Sequence, residues 1–269
     1  MSGWIAVGAG SWLLTVVLSG CVSRPPEDDI VRVLIRAAPT GFDPRAATDE
    51  HSRRVHQLVF DELPALADTI EHPDPLTYVV RLRHGVQFHD GRTLTAKDVV
   101  YTFGSSLYPT IIAARDAYTV AFTLKEPSGT FLGQLAVPVV PAGAGDALRT
   151  FPIGTGPYRF ARYRVDEQVE LTAFEGYWDG LPQNAGITLR IIRDEATRVR
   201  ELQNGTADIS IDHARVIARP NIQNMRLTPH ASFSALKDVK KVAPYGPDFT
   251  GPSDAGGGHP RPAPQAPPP

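Results

Sequence analysis

The chain has 269 residues, of which 42% are hydrophobic, enough to build one large domain or two ordinary ones around a real core. A formal net charge of −2 excludes the clustered basic excess of a nucleic-acid-binding surface. A single cysteine excludes an internal disulfide, so cysteine pairing says nothing about the redox compartment.

The first element is an uncharged apolar run over residues 4–18, ending in Leu18-Ser19-Gly20-Cys21 and a polar stretch over 23–29. A membrane span needs about 20 apolar residues. The shorter run fits a secretory signal with a small-residue cleavage site, although no Lys or Arg precedes it as signals normally require. The LSGC ending looks like a bacterial lipobox, in which Cys21 is lipidated and becomes the first mature residue. The plainer alternative makes Cys21 a small residue of an uncleaved anchor. Both place the body of the chain outside the cytoplasm.

Residues 30–37 alternate as a first strand, and PTGFDP at 39–44 breaks it into a loop. Val55, Leu58, Val59 and Leu63 fall at helical spacing over residues 48–63. Residues 78–83 alternate as a strand, and Val86 and Phe88 continue the apolar pattern. Asp90-Gly91 then supplies a turn. Thr95 with Asp98 reads as a capping box, the hydroxyl bonding a free amide, before a helix whose apolar face is Val99, Val100 and Phe103. Residues 104–111 show little pattern. YTVAFTL at 118–124 is a strand, 131–136 a short apolar helix or strand, and 142–145 a small-residue loop.

IGTGPYRF at 153–160 places Gly154 and Gly156 around Thr155, a bend that excludes a β-carbon, and leads into a strand expected to pair with 169–173. The Gly-x-Gly is not a phosphate loop, because neither a strand-loop-helix context nor Lys-Ser/Thr follows. Tyr177-Trp178 before Gly180 and Pro182 reads as a packing anchor. Residues 188–193 form a strand. Asp194 caps a helix over 195–203, with Val199 and Leu202 inward and Gly205 as its stop, and 208–211 is a strand again. This strand-helix-strand unit implies a mixed or parallel sheet. Residues 213–243 show no firm period, and the Pro- and Gly-rich tail is expected to be disordered with polyproline character.

Leu82, Arg83, Gly85, Val86, Phe88, His89, Asp90, Gly91, Leu94, Thr95, Ala96, Asp98 and Val99 together make a distinctive stretch. IGTGPYRF, YWDGLP and the block Asp194, Arg198, Leu202, Gly205, Asp208, Ile209 follow it in order. In these four blocks the chain resembles the family-5 extracellular solute-binding proteins of peptide and nickel ABC importers. The resemblance covers residues 30–212 and fades beyond.

The resemblance implies an α/β fold: a type II periplasmic-binding-protein-like first lobe with an inserted α+β domain, the second lobe being missing. The division it implies is a lipoprotein signal at 1–21, a discontinuous sheet domain at 22–50 and 153–212, the inserted domain at 51–152, and a degenerate region with its tail at 213–269. A family hairpin after residue 63 and a helical insert after 103 are expected to be lost. The resemblance also implies capture of peptides or similar small solutes for an ABC permease, by a lipid-anchored protein at the periplasmic side or cell surface, with activity impaired by truncation. Gly41, Phe42, Asp43 and Tyr158 become candidate ligand neighbours. His89, Asp90, Gly91, Gly154, Gly156 and Trp178 are structural signature residues. The acid that pairs with a peptide's amino group in the family lies in the second lobe, so no residue here inherits that role. An alternative is a non-transporting remnant or interaction lipoprotein, its Pro-rich tail offered to aromatic grooves. An enzyme is the third reading, suggested by His84, His89 and Asp90. Without an HExxH spacing or a G-x-S-x-G motif, neither catalysis, a metal nor a cofactor is expected.

Overall fold

A computed structural model describes residues 29–104, 110–212, 215–219, 222–223 and 233–241. Cys21, the signal run and the tail from 242 lie outside the described residues.

Two sheets organise the chain. The first has β1 (Ile30–Ile35) at its middle, parallel to β8 (Gly186–Ile191) on one side and to β9 (Ile209–Asp212) on the other. β7 (Gln168–Ala173) and β6 (Tyr158–Arg164) extend it antiparallel beyond β8, and β10 (Arg215–Ala218) closes the far edge against β9. Helix α5 (Glu195–Asn204) carries the chain from β8 over β1 to β9, the mixed sheet the pattern predicts. Its Asp194 cap accepts from Thr197 N–H at 2.7 Å, and Gly205 ends it at φ 78°. The buried face differs from expectation: Val199 is exposed, and Arg198 is buried beside Leu202, donating to the carbonyls of Ile192 and Arg193.

The second sheet is antiparallel, in the order β2 (Ala67–Asp74), β3 (Thr77–Leu82), β5 (Thr119–Leu124), β4 (Thr110–Ala114). Helix α3 (Ala96–Gly104) and the short α4 (Phe131–Gln134) belong to this part of the chain, and their Val99, Phe103 and Phe131 share a core with the sheet's Val80, Leu82 and Phe122. Two expectations fail here. A β2–β3 hairpin exists where one was expected to be lost, and β4 is a strand where no pattern was read. The β2 side chains are nearly all exposed, so its backbone pairing leaves no apolar alternation to read. At α3, half of the capping box is present. The Asp98 carboxylate accepts both the Thr95 N–H and its hydroxyl, at 2.8 and 2.9 Å, so that hydroxyl donates to the acid instead of capping an amide.

The expected helix over 48–63 is broken. α1 (Glu50–Val59) ends as Phe60 turns extended, and α2 (Leu63–Leu66) starts afresh with Pro64 in its first turn, where proline's missing N–H costs nothing. Val55, Leu58 and Val59 pack with Val31, Val33, Ile187 and Leu189 of the first sheet. Residues 51–59, assigned from sequence to the inserted domain, therefore share the sheet domain's core. That core also takes Phe233, Leu236 and Val239, so ordered packing continues beyond residue 212.

Candidate functional site

The two cores meet at a neck of two adjacent segments. The outgoing chain at 61–63 and the returning chain at 137–139 are bonded backbone to backbone: Leu63 N–H to Val137 O at 3.1 Å, and Val139 N–H to Asp61 O at 3.0 Å. Three of the four sequence blocks converge on this neck, although they lie far apart along the chain.

The Gly154-Thr155-Gly156 loop caps α1. The last carbonyls of a helix lack internal partners, and Gly156 N–H donates to that of Val59 at 3.0 Å. The approach is so close that a β-carbon on Gly154 would stand 2.0 Å from the Val59 oxygen. Close backbone approach, more than the shape of a bend, is why glycine is required here. His89 fixes the same loop from the other side. Its backbone N–H donates to Gly154 O at 2.9 Å, its Nδ1 accepts from Gly154 N–H at 3.3 Å, and its Nε2 donates to Gly156 O at 2.9 Å. Burial pushes the His89 ring down to about 4, which keeps it in the neutral form these bonds need. Asp90 and Gly91 form the turn beside it, with Gly91 at φ 87° and Arg92 bonded to the Asp90 carboxylate at 2.8 Å.

Asp61 gathers what is left. Its carboxylate, 8% exposed, accepts from Thr155 Oγ1 at 3.0 Å, Tyr177 Oη at 3.1 Å and Trp178 Nε1 at 2.9 Å. Burial holds its carboxyl above the usual range, against the pull of these three hydrogen bonds. All three donors are neutral. Sequence reading missed Asp61 because its partners lie 94, 116 and 117 residues away. Asp61→Ala leaves three buried donors unsatisfied, and is expected to cost about 3 kcal/mol or more. A urea melt reads this as a lowered midpoint, and an unchanged midpoint would show that the neck does not depend on the carboxylate.

Beside the neck lies an open cleft of about 510 Å³, a size usual for small-molecule sites. Arg53, His56 and Gln57 of α1 form one wall with Phe60, Asp61 and Glu62, and Pro138 faces them from the returning chain. Thr48 and Pro44 close the end nearest the 39–48 loop. Among the described residues no group of three or more His, Cys, Asp or Glu could hold a metal ion.

The four candidate ligand neighbours do not line this cleft. Phe42 is buried against Phe160 and Tyr163, with ring centroids 4.9 and 5.0 Å away. Asp43 is buried and held by Arg45, whose Nη2 lies 2.7 Å from its Oδ2. Burial raises the Asp43 carboxyl, but the Arg45 hydrogen bonds outweigh it and leave the group below its usual value. Arg45 also reaches Tyr101 Oη and Gly145 O, so this loop ties the two domains together. Gly41 donates its N–H to Ser52 Oγ at 3.2 Å. Tyr158 is fully buried, its hydroxyl donating to Asn184 Oδ1 and Leu236 O. Its phenol is committed to joining β6 to the 233–239 segment.

Residues 63–236 match the model of the family described as Bacterial extracellular solute-binding proteins, family 5 Middle. The match runs past residue 212, beyond which the resemblance legible in the sequence fades, and takes in the segment that carries Phe233 and Leu236. The chain is 31% identical over 254 residues to Di/tripeptide-binding protein 2 of Pseudomonas aeruginosa, covering 74% of this chain and 47% of that protein. It is 32% identical over 216 residues to the Glutathione-binding protein GsiB of Pectobacterium atrosepticum, covering 67% of this chain and 42% of that one. The oligopeptide-binding protein AppA of Bacillus subtilis, solved in complex with a nonapeptide, superposes with a TM-score of 0.64 at 26% identity, over 71% of this chain and 45% of AppA. The chain thus spans about half the length of these relatives.

Proposed function

The chain belongs to the bacterial extracellular solute-binding proteins, family 5, and we propose that it captures peptides or similar small solutes outside the cytoplasmic membrane for delivery to an ABC permease. What carries this reading is the family match over more than half of the chain, coinciding with a type II periplasmic-binding-protein-like lobe. An open cleft at the junction of its two domains supports it. Affinity in this reading comes from backbone groups and a few polar side chains, which suits a receptor tolerant of side-chain identity.

The test is thermal unfolding of the full chain in detergent, with and without a mixture of di- and tripeptides and glutathione. A ligand that binds only the native state adds about 2.7 kcal/mol at one hundred times its Kd, so the midpoint is expected to rise. A cooperative transition indifferent to every solute would overturn the reading in favour of an interaction lipoprotein.

The anchor belongs to the same proposal. Cys21 is the lipidated residue, and no helix among the described residues is long and apolar enough to cross a membrane. Cys21→Ser is expected to move the protein from the membrane fraction to the soluble one and to remove the added lipid mass. Unchanged partitioning would refute lipid attachment.

A further inference from the structure

One edge of the second sheet is open and unguarded. Among the described residues no strand lies beyond β4, whose sequence TIIAA carries no charge. Arg115 N–H donates to Thr119 O at 2.8 Å, in the register that continues the β4–β5 ladder. Antiparallel pairs alternate between bonded and non-bonded, so the bonds toward β5 fall on Ile111 and Ala113. The N–H and C=O groups of Thr110, Ile112 and Ala114 therefore point away from β5. Ala113 and Ala114 face opposite sides of the sheet and both are exposed, so nothing covers the edge that runs between them. Ile111 is 70% exposed beside them, while Ile112 packs partly on the sheet's core.

Sheet edges are normally guarded by charge, proline or a bulge. The opposite edge of this sheet is: β2 exposes Asp68, Glu71, His72, Pro73 and Asp74, and its register against β3 is irregular. β6, an edge of the first sheet, exposes Arg159, Arg162 and Arg164. Either strand laid against its own copy would set like charges together. β4 has none to oppose, and its pattern is self-complementary. An antiparallel pair centred on Ile112 sets Ile112 against Ile112 of a second copy, Thr110 against Ala114, and Ile111 against Ala113.

We propose that β4 is a self-association edge, pairing antiparallel with β4 of a second copy of this chain about a two-fold axis. The two four-stranded sheets then become one continuous sheet, and the outward backbone groups of both strands find partners. Ile111 is covered by Ala113 of the second copy. Assembly closes at two copies, because both outer edges of the joined sheet are the guarded β2. A pair of five-residue strands buries little area, so the dimer is weak and depends on concentration.

Sedimentation velocity of the full chain in detergent and reducing buffer tests this, run at protein concentrations up to about 200 μM, a range suited to a weak interface. The wild type is expected to pass from monomer to dimer, with hydrogen exchange over residues 110–114 slowing in step. Ile111→Lys adds charge at an exposed position and sets each new lysine diagonally across from its symmetry mate. Ala114→Pro removes an N–H that points away from β5, so the β4–β5 ladder survives while the outer pairing does not. Each is expected to weaken the dimer by about tenfold or more. A chain that stays monomeric throughout would overturn the proposal. So would a dimer that neither variant changes, as two lipid chains sharing a micelle would give. Exchange over 110–114 that slows only when dialanine or trialanine is added would make the edge a strand acceptor for peptides, and would equally overturn self-association.

Discussion

Gly154→Ala is expected to destabilise the chain by on the order of 4 kcal/mol or more, a large share of the 5–15 kcal/mol typical of a folded domain. The new β-carbon would lie 2.0 Å from the Val59 carbonyl oxygen, 2.7 Å from Phe60 Cδ1 and 2.8 Å from the Val59 carbon. Two of these three are backbone atoms at the end of α1, so no side-chain rotation relieves the overlap. Gly156 meets the same obstacle, with Val59 C at 2.7 Å and Leu58 O at 2.8 Å. Neither glycine has a positive φ, so the penalty is one of space and not of backbone conformation. To make room, the loop must withdraw from α1, giving up the Gly156–Val59 hydrogen bond and the three contacts with His89. Thr155 would move with it and leave Asp61 one donor short.

Gly133→Ala is the matched control. Gly133 lies in α4, has nothing within 4 Å of its would-be β-carbon and has no positive φ. Alanine there is expected to be neutral or to stabilise by about 0.4–1 kcal/mol through the unfolded chain. Urea melts of the two variants should differ by several kcal/mol for the same added methyl group. Similar midpoints would mean that the glycine loop is not pressed against α1.

How far the sequence discloses this arrangement depends on what kind of signal each residue leaves. β1, β3, β5 and β8 bury one or both faces, and their apolar runs are legible. β2 contributes mainly backbone hydrogen bonds at a sheet edge and leaves no such trace. The break after α1 was signalled by Pro64, yet Leu63 stayed in phase with Val55 and Val59 and masked it. Buried polar residues are the hardest case. The phenol of Tyr158 and the carboxylate of Asp43 looked like cleft chemistry, because a tyrosine or aspartate in a signature carries no mark of its partner. Their partners, Leu236 and Arg45 among them, assign them to structure. Asp61 is the reverse: an ordinary aspartate after a helix, which becomes central only when Thr155, Tyr177 and Trp178 fold onto it.

Acid is expected to unfold the chain early, mainly through His56 and His89. Burial pushes both rings down to about 4 from an ordinary value of 6.5. Between these values the unfolded chain binds protons that the folded one refuses, so stability falls as pH is lowered from 6.5 and levels off below 4. A shift of this size is worth about 3 kcal/mol for each ring at the acid end. His51, also held low by burial and by Arg54, acts in the same direction. The carboxylates divide differently. Burial holds Asp61 high, so its protonation partly offsets the loss. Asp49 is raised by burial but held below its usual value by hydrogen bonds from Ser52 and Thr40, and its stabilisation is lost only below 3.8. The interval from 6.5 to 4 is therefore dominated by histidine. Urea midpoints measured across it should fall steeply in the wild type and less steeply in His56→Gln and in His89→Gln, whatever each substitution costs at neutral pH. Parallel slopes in all three proteins would place both imidazoles in contact with water and would remove the neutral-histidine clamp from the account of the neck.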